Sequence, residues 1–110
     1  MQDYQELLVW QNSHRFTLSV YQNVSSFPKE EAYNLVSQLK RASSSIPTNI
    51  AEGTGRYTQK DFAGFLQNAL GSAHEIEYLL LLSKDLGFIP DNSFIDLNSR
   101  VNETKAMLMP

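Results

Sequence analysis

Ser45-Ile46-Pro47-Thr48-Asn49-Ile50-Ala51-Glu52-Gly53-Thr54-Gly55-Arg56 is the stretch on which the fold turns. It holds one proline, two isoleucines a helical turn apart and two closely spaced glycines. Upstream, Leu35, Leu39 and Ala42 lead into Ile46, then Asn49 or Ile50, then Gly53, at intervals of three and four. Apolar residues recurring at that interval share one face of an α-helix. The stripe keeps its phase across Pro47, which predicts one helix rather than two. An interior proline removes a backbone hydrogen bond and crowds the preceding turn, so a kink is expected near Ser43 to Ile46. The helix is expected to start around Pro28 to Glu31, where a proline and two acids suit its positive end. Gly53 and Gly55 are expected to end it through the positive backbone angles that glycine tolerates.

Three further helical patterns flank this one. Val9, Ser13, Phe16, Val20 and Val24 form a stripe with Trp10 and Tyr21 on its shoulder, and Asp3 with Glu6 has the spacing of a capping box that would start the helix near Glu6. After Gly55, Thr58 is placed as an N-cap for Phe62, Phe65, Leu66, Ala69, Ala73, Ile76 and Leu80, and Gly87 as the stop. Asp91 or Ser93 would cap a last helix carrying Phe94, Leu97, Val101, Thr104 and Leu108. No stretch alternates with period two. Four amphipathic helices with short connections predict an all-α, antiparallel up-down-up-down four-helix bundle with a proline-kinked second helix, one domain over residues 1–110.

Composition narrows the function classes. The chain has no cysteine, which excludes a disulfide framework, a thiolate nucleophile and a Cys-based zinc site. Its longest leucine run, Leu79 to Leu82, is far short of a membrane span, and its start lacks the pattern of a signal peptide, so a cytoplasmic protein without a membrane partner is expected. The formal net charge is −3. Only residues 37–60 are basic, with Lys40, Arg41, Arg56 and Lys60 against Glu52 alone.

The third helix points to partners. Gly64, Asn68, Gly71, Glu75 and Leu82 fall on the face opposite its core stripe at 100° per residue. A glycine inside a helix costs ~1 kcal/mol relative to alanine, and this helix carries two. One reading is a close approach by another backbone, with the helix buried on both sides; four consecutive leucines, too many for one core face, agree with it. The plainer reading is that glycines are tolerated on an exposed face. On the first, the chain forms a symmetric homo-oligomer through Trp10, Gly64, Asn68, Gly71, Glu75, Leu79 and Leu82.

The string Pro47-x-Asn49-Ile50-Ala51-Glu52-Gly53 is followed by Phe62, Phe65-Leu66 and Ala69-Leu70-Gly71-Ser72-Ala73-His74-Glu75-Ile76-Glu77. With Leu8-Val9-Trp10-Gln11 and Leu86-Gly87-Phe88-Ile89, it resembles the four-helix-bundle family of rRNA intervening-sequence proteins over nearly the whole chain. The resemblance implies a kinked second helix and a ring-like homopentamer. The chain is also similar to the accessory proteins of diversity-generating retroelements, basic pentameric barrels that bind nucleic acid and a reverse transcriptase. It departs from that pattern in being acidic overall.

The residues around Pro47 have both a structural and a functional reading. Structurally, the Asn49 amide would bond the carbonyl that Pro47 leaves free, that of Ser43, and Glu52 with Arg56 has the spacing of a helical ion pair. Functionally, Lys40, Arg41, Arg56 and Lys60 with Tyr57 would supply phosphate contacts and base stacking for RNA or DNA. Glu75 and Glu77 lie on different faces and so do not pair for acid–base work, while His14 and His74 lack the partners of a helical metal motif. Ser43, Ser44 and Ser45 have no activating base placed by sequence. No cofactor, metal or enzymatic activity is expected. The leading expectation is a homo-oligomeric scaffold associated with nucleic acid; the alternative is a protein-binding accessory factor of a neighbouring enzyme.

Overall fold

The computed structural model describes residues 3–110; Met1 and Gln2, counted in the expected domain, lie outside the described residues. Four helices follow in order: α1 (Leu8–Val24), α2 (Leu35–Thr54), α3 (Gln59–Asp85) and α4 (Asp91–Leu108). Each packs on its neighbours in the chain, and α1 closes the ring against α4. The residue pairings set the directions. Between α2 and α3, the Ser45 and Ser72 hydroxyls lie 2.9 Å apart and Arg41 faces Glu75 at 4.0 Å. One partner's number falls as the other's rises, so the two helices are antiparallel. Lys105 on Glu77 and Lys84 over Phe94 give the same sense for α3 and α4. Phe27 of the α1–α2 connection meets Phe88 of the α3–α4 connection at one end, with ring centroids 5.6 Å apart. The α2–α3 turn occupies the other, as an up-down-up-down bundle requires.

Most of the core comes from the stripes read from the sequence, joined by Phe27, Leu79 and Ile89. Phe16, Val20, Leu39, Ile46, Ile50, Ile76, Leu80, Leu97 and Val101 are buried together with Ala69 and Ala73. Fully burying such a side chain contributes about 1.5–3 kcal/mol. Thr58 caps α3, its hydroxyl accepting from the Asp61 amide at 3.1 Å. Gly87, at φ +80°, closes α3 in a Schellman turn: its own amide bonds the Lys84 carbonyl and the Phe88 amide that of Ser83.

Three helix starts differ from expectation. Asp3 caps a separate 3₁₀ turn, Tyr4–Glu6, by accepting from the Gln5 amide, and α1 begins after it at Leu8. Pro28 precedes a second 3₁₀ turn, Lys29–Glu31, and α2 begins only at Leu35. Lys29 to Tyr33 offer no residue to the core, and a helical turn without a buried face has little to hold it. At α4 the extended Pro90 takes the N-cap position, so Asp91 is already helical and neither it nor Ser93 is the cap.

The single helix read from the unbroken stripe is present, but the hydrogen bond that Pro47 removes is replaced differently from expectation. α2 is continuous through Pro47. The Ser43 carbonyl, deprived of its donor, accepts from the Thr17 hydroxyl of α1 at 3.0 Å. Asn49 instead bonds Ser45, its amide lying 2.8 Å from the carbonyl and 3.0 Å from the hydroxyl. The neighbouring helix thus repairs the gap.

Gly53 is also reassigned. Neither it nor Gly55 has positive φ. Gly53 is buried, and a Cβ there would lie 2.8 Å from Phe62 Cδ1 and 2.9 Å from Phe65 Cβ. Its role is to let α2 and α3 approach closely.

Candidate functional site

Three surfaces gather the residues singled out in the sequence. The first is the outward side of α3. Gly64, Asn68, Gly71 and Glu75 are exposed there, and a Cβ at Gly64 or Gly71 would meet nothing within 4 Å. Glu75 leans toward α2, with its carboxylate 4.0 Å from Arg41 Nη2. Leu79 is not on this side: it is only 5% exposed and belongs to the chain's own core. It follows Ser72 and Glu75 along the row that meets α2, so it packs inward at the next turn. Leu82 is half-buried against the same core. Because α3 lies between α2 and α4, a wide arc of its surface is covered, and the leucine run is absorbed almost entirely within one chain. Leu81 alone of the four stands out, 42% exposed.

Exposed apolar surface that the sequence did not single out lies toward α4. Tyr78 (60% exposed) and Leu81 border a groove with His74, Glu77, Phe94 and Asn98, and Ile95 is exposed one residue beyond Phe94. The available signal was their spacing: Tyr78 and Leu81 sit a turn apart, off the core stripe. Lys105 Nζ of α4 donates to Glu77 Oε1 at 3.0 Å. Glu75 and Glu77 therefore point to different neighbours, α2 and α4.

The second surface is the turned end between α2 and α3. Arg56 does not pair with Glu52; its guanidinium lies over the Phe65 ring, 4.6 Å from the centroid. The helix ends at Thr54, so Arg56 leaves α2 before the expected helical pairing forms. Tyr57 is 99% exposed, and Lys60 opens the first turn of α3 beside it. A shallow depression next to Arg56 and Lys60 is lined further by Gly64, Gln67 and Asn68. Lys40 and Arg41 do not join this group. Fifteen residues separate Arg41 from Arg56, roughly 20 Å along a helix, and the two cations diverge. Lys40 lies over Tyr21 of α1, and Arg41 faces Glu75 of α3. The expected basic patch is thus split, with Arg56, Tyr57 and Lys60 left as one cluster.

The third surface is a cleft between α1 and α2. Trp10 is half-buried; its indole stacks on the His14 ring at 4.9 Å and meets the edge of Tyr4 at 5.0 Å. Pro47, Thr48, Ala51 and Glu52 form the opposite wall. The i, i+4 spacing of Trp10 and His14 was the readable signal for the stack.

Elsewhere the polar side chains between helices are engaged. Ser43 is fully buried and donates to the Lys40 carbonyl, and Ser45 is held by Ser72 and Asn49. Among the described residues no three His, Cys, Asp or Glu side chains group to hold a metal ion. No described helix is long and apolar enough to cross a membrane.

Comparison with known proteins agrees with the fold. A model of the family described as 23S rRNA-intervening sequence protein matches residues 5–110. A solved structure of similar shape is a protein of unknown function from the S23 ribosomal protein family of Bacteroides thetaiotaomicron. It is 25% identical, with a TM-score of 0.83 over 92% of this chain and 94% of that one. No curated protein matches the chain.

Proposed function

The chain belongs to the 23S rRNA-intervening sequence protein family, and on that premise we propose that it is a non-catalytic cytoplasmic scaffold that assembles with copies of itself and offers one end to nucleic acid. The observation that carries this reading is the outward side of α3. Gly64 and Gly71 lie inside a 27-residue helix, and nothing in the protomer occupies the space a side chain would take. Each glycine costs ~1 kcal/mol of helix stability relative to alanine, and no packing inside the chain compensates. Close approach of a second copy does, because only glycine lets another backbone come that near. Tyr78 and Leu81 extend the contact with apolar surface.

Assembly into a ring, with a pentamer as the expected number, joins two different faces of each protomer. It also repeats the Arg56, Tyr57 and Lys60 cluster once per copy. Two cations and a projecting ring bind nucleic acid weakly when alone. Several copies on one strand raise the effective concentration of each for the next.

Sedimentation velocity at micromolar concentration, followed by titration of a structured RNA at several salt concentrations, tests both parts. The expected result is a species well above 12.5 kDa whose RNA affinity falls with salt. Arg56→Ala with Lys60→Ala should flatten that dependence. A monomer removes the scaffold; affinity indifferent to salt removes the nucleic-acid contact.

A further inference from the structure

The cleft between α1 and α2 unites the two most distinctive strings of the sequence, Leu8 to Gln11 and Pro47 to Glu52, and neither part of the proposed function uses it. Its α1 wall is aromatic, the parallel Trp10–His14 stack with Tyr4 edge-on. Its opposite wall carries Pro47 and Ala51, and the Thr17 that repairs the proline's missing hydrogen bond also lines it. Along the α2 rim, Ser44, Thr48 and Glu52 follow one another a helical turn apart.

What distinguishes the cleft is an aromatic wall on α1 with the Glu52 carboxylate on the α2 side of the same lining. The interhelical hydroxyls, amides and charges at Thr17, Ser45, Ser72, Asn12 and Lys105 all have partners within the chain. At the cleft, the Trp10 indole N–H, the Thr48 hydroxyl and the Glu52 carboxylate bond no other described residue and are open to solvent. Arg56, the one cation spaced to neutralise Glu52, is drawn to Phe65 instead. An indole N–H beside an apolar wall and a free carboxylate across from it define an occupant. It must offer a hydrogen-bond acceptor, an apolar body and a positive charge.

We propose that this cleft binds a short segment of a partner protein carrying arginine beside an apolar side chain. The guanidinium pairs with Glu52 at the rim of the cleft, opposite the aromatic wall. A backbone carbonyl of the segment accepts from the Trp10 N–H, and the apolar side chain covers Pro47 and Ala51. Nucleic acid does not fit, because the lining presents a carboxylate and no lysine or arginine to a phosphate. The acidic net charge of the chain favours a basic partner in the same sense.

Trp10 is the only tryptophan of the chain, so its emission reports this cleft alone. The test titrates the full-length protein with an eight-residue peptide of alternating arginine and leucine, and in parallel with the same peptide carrying glutamine for arginine. The arginine peptide is expected to shift Trp10 emission saturably, with Glu52→Gln weakening it about five-fold, the worth of one exposed charge pair. Thr48→Val should weaken binding less. Circular dichroism of both variants confirms an unchanged helical bundle. The proposal is overturned if the two peptides act alike, if Glu52→Gln leaves the titration unmoved, or if Trp10 emission depends on protein concentration alone. The last result would mean that another copy of the chain covers the cleft. Since the readout requires neither a ring nor RNA, a failed scaffold and a failed cleft give different results.

Discussion

Gly53 and Gly64 are both glycines inside long helices, yet their surroundings are opposite. A Cβ at Gly53 would collide with Phe62 and Phe65, whereas one at Gly64 would enter open space, as it would at Gly71. The first glycine is explained within the protomer: it sets how closely α2 and α3 pack. The other two weaken α3 and have no such explanation. The same residue type thus marks an interface already formed in the chain and, on the proposed reading, one that a second copy would complete. This contrast is the physical basis for reading the chain as a component of an assembly.

The contrast can be broken most forcefully at Gly53. Gly53→Ala should destabilise the protein by about 2–3 kcal/mol, because overpacking at a backbone contact forces two rings to move. The loss should appear in chemical denaturation as a lower midpoint with an unchanged slope. An undiminished midpoint would mean that α2 and α3 have slack and that Gly53 is not a contact residue. The proline repair is the next test of how tightly α2 is held. Thr17→Val keeps the shape but strands the Ser43 carbonyl, and should cost about 1–2 kcal/mol. Gly87→Ala, at the positive φ of the Schellman turn, should cost about 1 kcal/mol by the same measurement. Smallest, and opposite in sign for an isolated protomer, is Gly64→Ala: added helix propensity should stabilise a monomer by up to ~1 kcal/mol.

These sites also show where the sequence was readable. The buried stripes, the Thr58 cap and the Gly87 stop are local patterns, carried by residues within a turn or two of one another, and each was legible. The α3 side presenting Gly64 and Gly71 was legible for the same reason, since helical phase alone places it. What escaped depends on neighbours far away in the chain. Gly53 reads as a helix terminator until Phe62 and Phe65 fold back on it. The free Ser43 carbonyl has a local candidate in Asn49, and only the packing of α1 brings Thr17 closer. Leu79 reads as surplus on one helix face because sequence does not reveal how wide an arc α2 and α4 cover together. Arg56 was expected to pair with Glu52 from spacing that holds only while the helix continues, and α2 stops at Thr54. The split of Lys40 and Arg41 from Arg56, Tyr57 and Lys60 follows from the length of α2, which composition by segment conceals.

The most direct test is the mass of the protein in solution, by light scattering across a size-exclusion column at micromolar concentration, for the wild type and for Gly64→Gln with Gly71→Gln. The wild type should be an oligomer. The double variant should be a smaller species, with a midpoint of unfolding no lower than that of a wild-type protomer, since glutamine favours helix over glycine. A wild-type mass of 12.5 kDa, or a double variant that assembles as fully as the wild type, would contradict assembly through this side of α3.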